Sequence, residues 1–496
     1  MGNNNFRKTL ITLFFIVFAT ETVAVVRTMP VPEGYPVMEN QRRPFSVSVN
    51  GYSVALYNDV NYWGGTVDFG SFEMTDGEKV TINVVVDEAI KTMEILPRNE
   101  KFNVTQKDSH NIEIQTVFAG EQITIVVNGD PMHGCVLHLF CNKYDNTPHP
   151  SGYNYDSASR THSFGAGYYN LRNITGTSEM KITGKQSIYL APGAVVYGTL
   201  VMDDCDGARI WGGGMIVNAE RGLIKVLNTK NSSIEDVMVH GHCWHAWQVT
   251  ADHCTDISFK RLKIINTHYA STDGLDLVFT SHSTIDSCFV RACDDAVAIK
   301  ALGNAKPAEN PACEDLTFRH LQLWNDCNNA FGIGAETRAQ AFRNIKVEDI
   351  DILFSYDDPQ YHTILDERAA LNICSLHGTW FHDILFDNIR IYHCQRLIGL
   401  GFKSSFWFGS IIGDQTGEGG IYDITFRNIQ SFANSGNNIS NKIMIYDWHQ
   451  EGTPDKTINN LVFDNINICG KKLKKVSKRY CDIRNNCKNK IQMYFK

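Results

Sequence analysis

The chain has 496 residues, enough for two or three domains, and its 43% hydrophobic and 20% charged residues are typical of a folded protein. The net charge of −8 is unevenly distributed, because residues 471–496 carry ten Lys or Arg and one Asp, which leaves about −17 on the rest. An acidic body of this kind argues against nucleic acid as a partner.

The N-terminus predicts a signal peptide over residues 1–24. Arg7 and Lys8 precede an apolar run from Leu10 to Ala19, and small residues follow as far as Ala24. This run is too short for a membrane span, although an uncleaved anchor is the alternative. We therefore expect a secreted, extracellular glycoprotein without a membrane span. Four Asn-x-Ser/Thr sequons agree with secretion: Asn103, Asn173, Asn231 and Asn438.

Fourteen cysteines, none in a zinc-like CxxC pair, predict some disulfides in an oxidising compartment. Cys481 and Cys487 are candidates for a local bridge. Cys254, Cys288 and Cys374 lie in strand-like segments, where a free cysteine packs as a small apolar residue.

Residues 43–146 predict a small β-sandwich. Phe45–Val49, Thr81–Val86, Ile112–Val117 and Gln122–Val127 alternate apolar with polar residues, and turns such as Asn128-Gly129 separate them. Residues 142–160, rich in Asn, Ser, Pro and Gly, indicate a linker.

Residues 160–470 carry a degenerate β-rich repeat. Ile257-Ser-Phe-Lys-Arg-Leu262-Lys-Ile264 recurs as Leu316–Leu323, Ile345–Ile352, Ile384–Ile391 and Leu461–Ile468, at spacings of about 23 to 40 residues. Short apolar segments at such a period indicate a solenoid in which each turn buries its neighbour. We predict an all-β protein whose second domain is a right-handed parallel β-helix, followed by a basic tail over 471–496.

Three aspartates within this repeat are the strongest functional signal. Asp273 stands in Ser271-Thr-Asp-Gly-Leu-Asp276, and Asp294 and Asp295 follow 21 residues later in Cys293-Asp-Asp-Ala-Val-Ala-Ile-Lys300. That separation is about one solenoid turn, so the carboxylates would meet in one groove. Clustered carboxylates drive their pKa values apart, which suits a glycoside hydrolase that needs an acid and a base. Turn capping or calcium binding by these aspartates is the alternative.

These motifs resemble those of the polygalacturonase family, glycoside hydrolase family 28. STDGLDL is similar to its NTDG[IL]D[IL] motif, and CDDAVAIK to its DDC[IV]A[IL]K. The resemblance implies that Asp294 is the general acid and that Asp273 and Asp295 activate water, with inversion and without metal or cofactor. Because strand neighbours face opposite ways, Asp294 and Asp295 reach one groove only if the chain bends there.

The sequence also departs from that family. Asn328 or Asn329 stands where the family has the histidine of its GHG motif, and the alignment does not decide between them. The Arg and Lys of the family's RIK motif fall near Asn372 and Cys374, which lack the charge that grips a uronate carboxylate. We take Asn328, Asn329, Asn372 and Lys300 as substrate-binding candidates, and Arg368 as a possible substitute cation.

A sandwich ahead of a β-helix, without the cationic clamp, is also similar to the layout of family 49, the dextranases and isopullulanases. We therefore expect a monomeric inverting hydrolase acting on a neutral or weakly charged polysaccharide. The alternatives are a family 49-like endo-glucanase, a catalytically drifted carbohydrate-binding β-helix, and a polysaccharide lyase. Trp244 and Trp247 are candidates for sugar stacking, whereas His240, His242 and His245 lack a convincing metal spacing.

Overall fold

The computed structural model describes residues 24–35, 42–99, 101–129, 131–242, 244–304, 306–356, 368–406, 409–432 and 442–496. Strands make up 56% of it and helices 2%, which confirms the predicted all-β class. The predicted signal peptide lies outside the described residues except for Ala24, and it stays a prediction.

The N-terminal region is a two-sheet sandwich, as predicted. Strands β1, β4, β5, β7, β10 and β11 form one sheet, and β2, β3, β6, β8 and β9 form the other. Alternate residues of β6 (Val80, Ile82, Val84 and Val86) are buried in the core between them. The strands are β1 (Val26–Arg27), β2 (Phe45–Val49), β3 (Tyr52–Val54), β4 (Leu56–Val60), β5 (Thr66–Met74), β6 (Val80–Val86), β7 (Met93–Leu96), β8 (Asn103–Gln106), β9 (Asn111–Thr116), β10 (Gln122–Val127) and β11 (Cys135–Lys143).

The remaining strands belong to the parallel β-helix domain, in which β38 (Ser405–Phe406) and β39 (Ile411–Ile412) form a separate antiparallel pair; its described residues also include one short helix, α1 (Leu171–Thr175), and a 3₁₀ turn at Pro307–Glu309. Its first half contains β12 (Tyr153–Asp156), β13 (Thr161–Phe164), β14 (Gly167–Asn170), β15 (Glu179–Gly184), β16 (Ser187–Leu190), β17 (Ala194–Tyr197), β18 (Thr199–Cys205), β19 (Arg209–Trp211), β20 (Met215–Asn218), β21 (Ile224–Leu227), β22 (Lys230–Glu235), β23 (Met238–Gly241), β24 (Val249–Asp252), β25 (Thr255–Lys260), β26 (Lys263–Asn266), β27 (Leu275–Val278), β28 (Thr284–Asp286), β29 (Phe289–Ala292) and β30 (Val297–Ala301).

Its second half contains longer strands, several of which run through two faces of the coil. They are β31 (Cys313–Arg319), β32 (Gln322–Asn325), β33 (Phe331–Thr337), β34 (Ala341–Ser355), β35 (Leu371–Ser375), β36 (Trp380–Ile391), β37 (Arg396–Phe402), β38 (Ser405–Phe406), β39 (Ile411–Ile412), β40 (Gly420–Ser431), β41 (Lys442–Tyr446), β42 (Thr457–Asp464), β43 (Asn467–Ile468), β44 (Lys471–Lys472), β45 (Cys481–Arg484) and β46 (Met493–Phe495).

Each turn of the coil carries three strands, one on each of three faces. The first face stacks β16, β19, β22, β25, β28 and β31; the second stacks β17, β20, β23, β26, β29 and β32. The third face is an eleven-stranded sheet that includes β24, β27, β30, β33, β35 and β37. This arrangement is the predicted right-handed parallel β-helix.

A single left-handed residue explains the repeat seen in the sequence. In β34, Ile345, Val347, Ile350 and Ile352 are all buried, although their spacing of two, three and two residues breaks strict alternation. Asp349 has a φ of 56° and supplies the extra residue that turns the following apolar pair back inward. The same position is left-handed in the other copies: Arg261, His320, Asn388, Asn428 and Asn465.

The sandwich packs against the outer side of the second face. Phe69, Val136 and Phe140 of the sandwich form one buried cluster with Phe289 and Trp324 of the coil. Because this face is covered and the first face is remote from the aspartates, the corner between the second and third faces is where a groove can open.

The coil extends beyond the boundaries predicted from the sequence. It begins with β12 inside the predicted linker, and its third face continues through β45. Residues 471–496 are therefore not a separate solvated tail: Leu473, Cys481 and Ile491 are buried and close the end of the coil. The sequence did not indicate this burial, because the few apolar residues of the segment stand among many Lys and Arg residues.

The expected disulfides are not formed among the described cysteines. No disulfide joins any two of the thirteen described cysteines, of which twelve are buried and Cys469 is exposed. Cys481 and Cys487 do not form the proposed bridge; the Cys487 thiol donates to the Trp448 carbonyl at 3.0 Å instead. Among the described residues, no helix has the length and apolarity needed to cross a bilayer.

Candidate active site

The three aspartates lie at one corner of the coil, where successive turns bend from the second face to the third. Asp273 lies between β26 and β27, and Asp294 and Asp295 lie between β29 and β30. The next turn places Asn328 and Asn329 at the same bend, between β32 and β33. The bend allows adjacent residues to share one corner, which a regular strand forbids.

Glycine is required at the first of these bends. A Cβ on Gly274 would lie 2.3 Å from Val290 Cγ1 and 2.6 Å from the Ala296 carbonyl oxygen. The Gly274 amide donates to the Asp295 carbonyl at 2.8 Å, which ties the Asp273 turn onto the next one. Only glycine at position 274 therefore leaves room for the turn that carries Asp273 to stack on the turn that carries Asp295.

Asp294 is 8% exposed, and both carboxylate oxygens accept hydrogen bonds. Its Oδ2 accepts from the Ser271 amide at 3.0 Å. Its Oδ1 accepts from the Asp295 amide at 2.9 Å and from Asn328 Nδ2. These donors come from three successive turns and fix the orientation of this carboxyl group at the mouth of the corner.

Asn329 is the partner of Asp295. Its Nδ2 donates to Asp295 Oδ1 at 2.8 Å, and its backbone amide donates to the same oxygen at 3.2 Å. Val297 pairs with Phe331 on the neighbouring strand. Asp295 stands two residues before Val297, and Asn329 stands two residues before Phe331. The register therefore places Asn329, rather than Asn328, level with Asp295. Which of the two replaces the family's histidine stays a separate prediction.

Lys300 lies among carboxylates and not in an open groove. Its Nζ donates to Asp273 Oδ2 and lies 3.3 Å from Asp276 Oδ1 and 3.6 Å from Asp295 Oδ2. The side chain is 5% exposed, with Nζ 4.2 Å from the centre of the Trp247 ring. This position gives Lys300 an electrostatic role toward the aspartates, and direct contact with substrate stays a prediction.

One lysine does not neutralise all these buried acids. Burial, reinforced by Asp276, raises the pKa of Asp273 well above its usual value despite Lys300. Burial likewise raises the pKa of Asp295 to about 7 and that of Asp276 to about 6. Burial would lower the pKa of Lys300, but the carboxylates of Asp273 and Asp276 outweigh it and raise this pKa. The cluster therefore holds a proton near neutral pH.

The catalytic candidates are close together. One carboxylate oxygen from each of Asp273, Asp294 and Asp295 lies within 4.8 Å of the others. All three side chains are nearly buried, so the corner can hold a small polar group such as a water between them. The arrangement can exchange protons with a bound molecule and hold a nucleophilic water.

Asn372 and Cys374 stand on the third face one strand beyond Asn329. Asn372 pairs with Gly332 and is 4% exposed, and its Oδ1 fills the space beside Gly399. Arg368 Nη1 donates to the Cys327 carbonyl at 3.3 Å. Arg396 was not predicted from the sequence. Phe331 pairs with Leu371, which pairs in turn with Ile398, and Arg396 stands two residues before Ile398 as Asn329 stands two residues before Phe331. Arg396 therefore lies at the same corner as Asn329, two turns further along the coil.

An open cavity of about 400 Å³ lies on the third face beside the corner. Its lining includes Lys225 and Thr250, which continue the row of Asp276 toward the N-terminus. Trp244 is 57% exposed at this cavity, and its ring centre lies 5.4 Å from that of Tyr269. An exposed indole at a groove is available for stacking.

Comparisons with known proteins identify one matching family and several similar solved structures. Residues 174–357, which include the whole aspartate corner, match the family described as "Glycosyl hydrolases family 28". Among solved structures, Dex49A from Penicillium minioluteum has a TM-score of 0.62 at 12% identity, over 90% of this chain and 92% of that chain. The family 28 exopolygalacturonase of Yersinia enterocolitica has a TM-score of 0.46 at 10% identity, over 85% and 97%. No curated protein sequence matches significantly.

Proposed function

We propose that this chain is a glycosidase of the polygalacturonase superfamily that hydrolyses a neutral or weakly charged polysaccharide outside the cell by single displacement. The observation that carries the proposal is the meeting of Asp273, Asp294 and Asp295 from two successive turns within 4.8 Å. Hydrolysis of a glycosidic bond needs one acid and one base at such a site.

In the proposed reaction, Asp294 gives its proton to the glycosidic oxygen as the C1–O bond breaks. A water held by Asp273 and Asp295 attacks C1 from the opposite side, and its proton passes to this carboxylate pair. A base whose pKa is about 7, as for Asp295, is matched to work near neutral pH. Lys300 keeps the pair partly ionised.

The separation of the carboxylates favours a retaining mechanism as the alternative to inversion. Inverting enzymes usually hold acid and base about 6.5–9.5 Å apart, and retaining enzymes about 5–5.5 Å. The close cluster falls nearer the second range, whereas the inverting route rests on the motifs shared with family 28. Proton NMR of the first product decides, because inversion gives the opposite anomer before mutarotation.

The choice of substrate rests on the lost cationic clamp. Asn372 and Cys374 replace the Arg and Lys that the family uses for a uronate carboxylate, and a neutral pair offers no charge-assisted bond. Trp244 offers a stacking surface at the cavity beside the corner.

The test is a screen of the purified chain on dextran, pullulan, polygalacturonate and rhamnogalacturonan, with reducing ends as the readout. We expect cleavage of a neutral glucan and weak or no cleavage of polygalacturonate. Efficient cleavage of polygalacturonate alone would overturn the substrate proposal. Products with an unsaturated end that absorbs ultraviolet light would indicate a lyase, and no cleavage with retained binding would indicate a drifted binding module.

Export is a separate part of the proposal. The basic and apolar N-terminus supports it, and N-terminal sequencing of the chain secreted by a eukaryotic host tests it. We expect cleavage close to Ala24; retention of residues 1–24 on a membrane-bound product would indicate the anchor instead.

A further inference from the structure

Three histidines from the coil surround one aspartate of the sandwich, about one turn from the catalytic corner. Asp59 of β4 is fully buried. His240 lies in β23 and His242 follows the last residue of that strand, and His268 follows β26 on the loop that leads to Asp273. No pattern in the sequence links these residues, because Asp59 lies about 180 residues before the first histidine.

His240 is fully partnered, while the other two histidines are not. Its ring nitrogens lie 3.3 Å from Asp59 Oδ2 and 3.2 Å from the Tyr35 hydroxyl. The Nδ1 atoms of His242 and His268 are buried and find no hydrogen-bond partner among the described residues. Both nitrogens face Asp59 Oδ1, at 3.4 Å and 3.8 Å.

These three atoms are arranged as a ligand set. Asp59 Oδ1, His242 Nδ1 and His268 Nδ1 all lie within 4.8 Å of one another. A tetrahedral zinc ion with bonds of about 2.0–2.2 Å separates its ligand atoms by about 3.4 Å, and the distances from Asp59 Oδ1 to the two nitrogens, 3.4 Å and 3.8 Å, are close to this value. His242 Nδ1 and His268 Nδ1 both lack a hydrogen-bond partner among the described residues, and both face Asp59 Oδ1. A cation bound between these three atoms would explain both observations.

We propose that Asp59, His242 and His268 bind a divalent transition-metal ion, zinc in the first instance. Two imidazoles and one carboxylate suit zinc, whereas calcium and magnesium prefer oxygen ligands. The His242 and His268 side chains are 22% and 31% exposed, which leaves a side open for solvent to complete the coordination.

The other contacts of Asp59 support its role as a ligand. Its Oδ2 accepts from Thr267 Oγ1 at 3.2 Å, and its Oδ1 accepts from the Val60 amide at 2.8 Å. Hydrogen bonds to a ligating carboxylate fix its orientation. The rings of His242 and His268 are perpendicular, with centres 4.9 Å apart, so both edges can face one point.

Such an ion would join the sandwich to the catalytic corner. His268 stands three residues before Ser271, whose amide donates to Asp294 Oδ2. The ion would therefore hold the loop that positions both the general acid and Asp273. It acts as a positioning element and does not touch the substrate, and the proposal does not depend on the identity of the glycan.

The experiment uses the full chain stripped with a chelator and titrated with zinc by calorimetry. We expect one tight equivalent per chain and a rise in melting temperature on its addition. His242→Ala and His268→Ala should each weaken this binding at least tenfold and abolish the thermal shift. His282→Ala, in the exposed group with Glu314 and Asp315, serves as the matched control and should leave the tight equivalent unchanged.

Unchanged zinc binding in both His242→Ala and His268→Ala, or no tight equivalent in the wild type, would overturn the proposal. Cobalt provides a readout that needs no variant. The wild-type chain should give the intense visible spectrum of a four-coordinate ion, and a weak six-coordinate spectrum would contradict the site.

Discussion

Two buried charged clusters lie back to back at the aspartate corner, and their charges balance differently. Toward the sandwich, Arg291 donates to both oxygens of Asp326 at 3.1 Å, and both side chains are fully buried. We call this the interface pair. Toward the groove, Lys300 Nζ lies within 3.6 Å of carboxylate oxygens of Asp273, Asp276 and Asp295, and we call these three acids together with Asp294 the carboxylate cluster.

The difference separates a structural cluster from a reactive one. In the interface pair each charge has a bidentate partner, and His138 and Trp324 complete the hydrogen bonds of Arg291 and Asp326. In the carboxylate cluster, acids outnumber the cation, so burial raises pKa values and a proton is shared. The first arrangement holds the sandwich against the coil; the second is ready to give and take protons.

The largest effect on stability should come from breaking the interface pair. Arg291→Met leaves Asp326 buried without its cation, and we expect it to lower the free energy of unfolding by about 3–5 kcal/mol. Urea unfolding measures the loss. Arg319→Met, which breaks the half-exposed pair with Asp286, is the control and should cost about 0–1 kcal/mol. Equal losses in the two variants would contradict the structural role of the interface pair.

Breaking the carboxylate cluster should change the free energy of unfolding in the opposite direction and stabilise the fold. Asp295→Asn removes a buried acid whose pKa burial raises to about 7, so it should raise the free energy of unfolding at pH 8, where the native state must hold this carboxylate ionised. The same variant should lose most of its hydrolytic activity. A lower melting temperature at pH 8 would show that Asp295 stabilises the fold, as the interface pair does.

The pH dependence sharpens the comparison. Because the folded pKa of Asp295 lies above the unfolded value, the native state binds the extra proton between about pH 4 and pH 7. Its contribution to stability is fully present below the unfolded pKa and is lost as the pH rises through about 7. Activity should rise over the same range, because the base must be ionised. Thermal melts and initial rates across pH 4–8 test both, and parallel trends would contradict the assignment.

The smallest effect should come from the open cavity beside the cluster. Trp244→Ala removes an exposed ring, and we expect KM to rise by about three- to tenfold, or about 0.5–1.5 kcal/mol, with little change in kcat. Trp380→Ala, on the first face, is the matched control and should leave KM unchanged. A fall in kcat without a change in KM would mean that Trp244 acts through Lys300 and Trp247 instead of stacking on sugar.

Much of this organisation could be predicted from the sequence, for physical reasons that differ by region. The Ile-x-Phe-x-x-Ile repeats fix the coil because each turn must bury the same positions, and Asp273 and Asp294 could be paired because one turn separates them. The position of Asn329 beside Asp295 could be assigned only from the strand register, because a shift of one residue leaves no recognisable pattern in a loop sequence.

Contacts between distant segments had no signal of this kind. Asp59 reaches His268, and His138 reaches Arg291, only because the sandwich folds back onto the second face. The buried end of the coil was missed for another reason: Leu473 and Ile491 are sparse apolar residues in a strongly basic stretch, and charge alone predicted exposure.

The most direct test is the rate of Asp294→Asn relative to Asp256→Asn on the glycan that the wild type cuts. Asp256 is an exposed left-handed residue at which asparagine is equally suited, so its variant controls for the substitution itself. If the corner is the hydrolytic centre, Asp294→Asn should lose about 10²- to 10⁴-fold in kcat while Asp256→Asn stays at the wild-type rate. Equal rates in the two variants would contradict it.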